Sequence, residues 1–86
     1  MSISLDIFAE FQVLRMFDVS GTQIGIKVHS AAAPELIAAA QRLHQKQLIT
    51  QLDGGYLTPL GYETAVHLQQ ALHILSTSPE LDVVHS

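Results

Sequence analysis

The chain contains neither cysteine nor tryptophan. Without thiols it has no disulfide framework, thiolate metal site, iron–sulfur cluster or cysteine nucleophile. Charge is scarce as well: 14% of the 86 residues are Asp, Glu, Lys or Arg, against 48% apolar. That balance is the reverse of a disordered chain, whose few apolar side chains cannot offset the entropy of ordering. Long apolar runs are also missing, and stretches such as Leu36 to Ala40 fall far short of the roughly 20 residues that span a bilayer. The opening Met1-Ser2-Ile3-Ser4-Leu5-Asp6 lacks the basic cap and small-residue cleavage site of an export signal, so a cytoplasmic protein with no membrane partner is expected. The length suits one domain, expected over residues 1–76, with residues 77–86 as a flexible tail behind Ser76-Thr77-Ser78-Pro79-Glu80.

Lysine and arginine are absent from the last 36 residues. Arg15, Lys27, Arg42 and Lys46 all precede residue 50, where Asp6, Glu10, Asp18 and Glu35 balance them. The whole net charge of −4 therefore lies beyond that point, and any surface attractive to anions must come from the first half.

What is present is periodic. Ser4 suits a helix N-cap, with Asp6 against the positive helix end, and Ile7, Phe8, Phe11, Leu14 and Phe17 recur at helical spacing behind it. Residues 22–29 fit two patterns: Ile24, Ile26 and Val28 alternate as in a strand, while Ile24 and Val28 also fit a short helix behind Thr22. The short helix is the expectation taken forward. Pro34 at a first helical position predicts a helix from about Pro34 to Gln47. Its Leu36, Ala40 and Leu43 share one side, and Glu35, Ala38, Arg42, Gln45 and Lys46 share the other. Asp53-Gly54-Gly55 between apolar-rich segments predicts a two-stranded ribbon. Thr58-Pro59 then opens a last helix, along which Ala65, Leu68, Leu72 and Leu75 form an apolar seam.

This order of elements, with Arg42-Leu43-His44-Gln45-Lys46-Gln47-Leu48-Ile49 before the turn and Leu57-Thr58-Pro59-Leu60-Gly61 after it, resembles a winged helix-turn-helix domain of the MarR-like and PadR-like branches. Gln47 stands where those branches usually carry a glycine. Lys27-Val28-His29, Gln41-Arg42-Leu43 and Asp53-Gly54-Gly55-Tyr56-Leu57-Thr58 also resemble an uncharacterised family of small bacterial proteins, some of them labelled DNA-binding. The expected fold class is accordingly mainly α with a β-hairpin wing (α+β), with three or four helices plus a short two-stranded ribbon.

The resemblance implies that the helix over residues 34–47 enters the major groove of double-stranded DNA. Arg42 and Lys46 would then lie near phosphates or guanine edges, with Gln41 and Gln45 on adenine, Ala38 close to a thymine methyl and Lys27 near the backbone. The reading taken forward is a small dimeric transcriptional regulator: four cations neutralise few phosphates, so it requires a homodimer, with Ala65, Leu68, Leu72 and Leu75 as its interface. The other reading is a protein-interaction module on the same frame, favoured by the acidic total. His29, His44, His67, His73 and His85 contain no i,i+4 pair, and no serine sits in a nucleophile elbow, so no metal, cofactor or enzymatic activity is expected.

Overall fold

A computed structural model describes residues 3–21 and 23–77. Helix α1 spans Leu5–Leu14, and the Ser4 hydroxyl accepts a hydrogen bond from the Ile7 amide at 3.2 Å, closing an orphan donor at its start. Tight turns carry the chain on to Phe17, which is buried. Helix α2 spans Pro34–Gln45 and has no side-chain cap; Pro34 itself removes one amide that would lack a partner. Helix α3 spans Pro59–Ser76, with Thr58 accepting from the Gly61 amide at 3.0 Å and donating to the Gln47 carbonyl at 2.7 Å.

Residues 22–29 do not form the expected short helix. Ile26–Lys27 make strand β1, which joins β2 (Ile49–Gln51) and β3 (Gly54–Leu57) in an antiparallel sheet of order β1-β3-β2. The ribbon is thus three-stranded, with Ile26 opposite Gly55 and Lys27 opposite Gly54. Glycine at 54 makes this possible: its φ is +134°, and a Cβ there would run into the Ile26 carbonyl. The fold is α+β, with three helices and a small sheet among the described residues.

The end of α2 explains the residue at 47. Gln47 has φ of 63°. Its amide donates to the His44 carbonyl and the Leu48 amide donates back to Leu43, each close to 3 Å, which is a Schellman arrangement. Glycine would adopt that left-handed conformation without strain, and glutamine does so at a cost.

One core joins the elements. Ala9, Val13, Leu14 and Phe17 meet Ala39, Ala40 and Leu43 of α2, with Val28, Ile49, Leu57 and Ala65 closing the sheet and α3 sides. The alanines at 9, 39 and 40 permit close approach of α1 and α2. Gly61 does the same for α3, because a Cβ there would overlap the Leu48 backbone. The Gln69 amide nitrogen donates to the Leu14 and Phe17 carbonyls at 3.2 and 2.9 Å, capping the end of α1 from α3.

One placement differs from the sequence reading. Phe8 is 53% exposed, because α1 turns Ala9, Glu10, Val13 and Leu14 inward instead. The tail expected over residues 77–86 lies, from residue 78 onward, outside the described residues.

Candidate functional site

The polar flank of α2 was expected to project Arg42 and Lys46 outward together. Both instead turn toward α1 and converge on one carboxylate. Arg42 Nε donates to Glu10 Oε2 at 2.7 Å, and Lys46 Nζ donates to Glu10 Oε1 at 2.5 Å. The Arg42 guanidinium also donates to the Asp6 carbonyl at 3.1 Å and lies 3.9 Å from the Asp6 carboxylate. Glu10 is only 5% exposed. Burial pushes its carboxyl up, but hydrogen bonds from Lys46 and Arg42 outweigh that and leave it below the ordinary glutamate range. The cause of the changed direction is therefore Glu10: a carboxylate held in the α1–α2 seam must be paired, and the i,i+4 cations of α2 pair it.

This cluster sums to zero formal charge once Asp6 is included, so it attracts a phosphate weakly. On the solvent side of α2, Gln41 and Gln45 are exposed beside half-buried Ala38, and the exposed Glu35 in the first turn carries a negative charge. Lys27 is exposed on β1, where it shares a shallow cleft with Ile37 and Asp53. The six residues expected at a nucleic-acid surface are thus divided among an ion cluster, a glutamine ridge and a sheet edge.

The expected dimer seam is divided as well. Ala65 is fully buried in its own core, and Leu68 packs against that core from a half-buried position, so the proximal part of the seam has an intramolecular role. Leu72 is half-buried, Ala71 exposed and Leu75 78% exposed, with Ile74 at 69% on the adjoining side. The helix rises about 27 Å over its length, and its distal turns outrun the core behind them. From Thr64 to Thr77 it has no Asp, Glu, Lys or Arg.

Glu10 and Gln69 are the residues that sequence reasoning passed over. The signal for Glu10 was there: it stands three residues after Ile7 and four before Leu14, on an apolar stripe where a carboxylate needs a cation. Gln69 left no comparable local trace, since its partners lie 55 and 52 residues away. Among the described residues no group of three or more His, Asp or Glu could hold a metal ion, and no helix is long and apolar enough to cross a membrane.

No curated protein and no solved structure matches the chain. Residues 1–76 match the Family of unknown function (DUF5669), and the chain belongs to that family.

Proposed function

We propose that this chain is a homodimeric protein-interaction module whose copies pair through the distal half of α3. The observation that carries this reading is the seam of Leu68, Ala71, Leu72 and Leu75, which begins inside the core and continues, uncharged, into solvent. A buried seam that runs beyond its own core leaves apolar area a second copy can cover, and the absence of charge removes the usual repulsion between identical faces. Two short helix ends make a small contact, and the dimer is expected to be weak and reversible, with a dissociation constant on the order of micromolar.

Sedimentation velocity tests it, taken to roughly 200 μM so as to exceed a micromolar dissociation constant. The parent chain forms a reversible dimer, and Leu75→Glu gives a monomer with an unchanged circular dichroism spectrum, because that side chain is exposed in the single chain. A parent that stays monomeric, or a variant that keeps the dimer, rejects the reading.

DNA binding is the second reading. The order helix, strand, helix, hairpin, helix is compatible with a winged-helix frame, and Gln41, Gln45 and Ala38 on the open side of α2 are suited to adenine and thymine edges. Against it, Glu10 engages two of the four cations, leaving Arg15 and Lys27 outside ion pairs among the described residues. A mobility shift on mixed duplex DNA at low salt separates the readings. Binding that is lost in Gln41→Ala/Gln45→Ala supports DNA recognition, and no shift at all excludes it.

A further inference from the structure

An apolar groove runs along α3 on a different side from Leu68, Leu72 and Leu75. Val19, Tyr62, Val66, Gln70, His73 and Ile74 line it, and its volume is about 560 Å³. The Tyr62 hydroxyl donates to the Val19 carbonyl at 3.0 Å and pins the segment after α1 against one end. At the other end Ile74 is 69% exposed, shortly before the helix stops at Thr77. A neighbouring cleft shares Gln69 and His73 with the groove and adds Arg15. Arg15 is exposed and has no ion pair among the described residues. The carboxylate of α3, Glu63, stands toward the far end, next to Tyr62.

The chain that continues from Thr77 matches this groove in reach, composition and charge. Thr77 leaves α3 in extended backbone at the Ile74 end, so residues 78–86 follow from beside the groove. Gln70, near the groove's centre, is about 10 Å back along the helix axis, and Leu81 reaches about 13 Å from Thr77 when extended. Ser78-Pro79 lies between them and favours the turn that sends a chain back. Leu81, Val83 and Val84 alternate with or adjoin Glu80 and Asp82, and no Lys or Arg accompanies them. Apolar side chains and negative charge therefore arrive together where α3 offers an apolar groove with Arg15 at its rim. A segment tethered this closely has an effective concentration of roughly millimolar, so a shallow groove suffices to hold it.

We propose that residues 80–84 fold back along α3 of the same chain, with Leu81 and Val83 in the groove between Val66 and Ile74 and Glu80 at the rim beside Arg15. The segment expected to be a free tail then forms the missing wall of α3. The proposal goes beyond α3 pairing and does not rest on it, because groove and seam occupy different sides of the helix.

NMR of the full chain, with ¹⁵N and with ¹³C-labelled Ile, Leu and Val methyl groups, tests it. Nuclear Overhauser contacts join Leu81 and Val83 to Val66 and Ile74, and ¹⁵N relaxation shows residues 80–84 restrained. Leu81→Ser/Val83→Ser removes that restraint and moves the amide signals of Val66, Gln70 and Ile74 while circular dichroism stays unchanged. Arg15→Gln lowers the ratio of docked to free tail about twofold, the effect of one exposed ion pair, read from where those amide signals fall between parent and double variant. No contact between these methyl groups, contacts to Leu72 and Leu75 instead, or a ratio unmoved by Arg15→Gln overturns the proposal. So do contacts found only between differently labelled molecules in a mixed sample, which would put the segment on a second copy. The α3 reading is judged separately, by Leu75→Glu.

Discussion

Glutamine at position 10 offers the sharpest test of how the α1–α2 seam is held. The substitution keeps the side-chain shape, removes the charge that both cations share, and turns an amide donor toward one of them. A hydrogen bond to a charged group contributes about 1.5–3 kcal/mol. The Arg42 side chain is 28% exposed and falls within that range, whereas Lys46, half in solvent, adds about 0.5 kcal/mol. Glu10→Gln is therefore expected to cost about 2–3 kcal/mol and lower Tm by roughly 10–20 °C, since each kcal/mol moves a domain of this size by about 4–8 °C. Urea denaturation of Glu10→Gln, Arg42→Met, Lys46→Met and the two double variants isolates each pair. Coupling is expected near 1.5–2 kcal/mol for Arg42, from a hydrogen bond that is largely desolvated, and about 0.5 kcal/mol or less for Lys46. A negligible coupling to Arg42, or a larger one to Lys46, refutes the reasoning. The pH dependence supplies a second check. Because the folded carboxyl titrates below its unfolded value, the contribution is complete above about pH 5 and fades as pH falls from the unfolded value of about 4.3 through the folded one. The stability gap between parent and variant should be level from pH 6 to 8 and close under acid, measured by the same denaturation.

Three further outcomes follow from the backbone. Gln47→Gly, at φ of 63°, should raise stability by about 0.5–1 kcal/mol in thermal denaturation, since glycine adopts that conformation without a Cβ clash; a loss would mean that the glutamine side chain contributes something the geometry does not reveal. Gly61→Ala should cost about 2–3 kcal/mol, because the added Cβ meets the Leu48 backbone and not a flexible side chain; neutrality in a urea titration would refute that close approach. Thr58→Ala removes both the cap of α3 and the bond to the Gln47 carbonyl, and should cost about 1–2 kcal/mol in the same titration, with Thr58→Ser recovering most of it.

Local chemistry made part of this fold readable in advance. Ser4, Pro34 and Thr58-Pro59 mark their helix starts because a cap acts within three residues of itself, and Asp53-Gly54-Gly55 marks the hairpin for the same reason. Residues 22–29 were a different problem: Ile26 and Lys27 are strand because β3 lies beside them, and no pattern within the segment reveals that neighbour. Phe8 was misplaced because α1 is apolar on both sides, so periodicity gave a stripe without saying which stripe faces inward. The direction of Arg42 and Lys46 depends on a carboxylate more than thirty residues earlier. The departure at Gln47, by contrast, was visible as a glutamine at a glycine position, and the structure supplies its backbone meaning.

The two hydrogen bonds that the Gln69 amide donates to the carbonyls of Leu14 and Phe17 have a consequence for biosynthesis. Ribosomes deliver the first helix long before the amide that completes it, so a nascent chain halted short of residue 69 displays an unfinished end at its oldest segment. Assembly of this small protein must wait for its final third, and truncations that look conservative on paper should yield products that proteases clear.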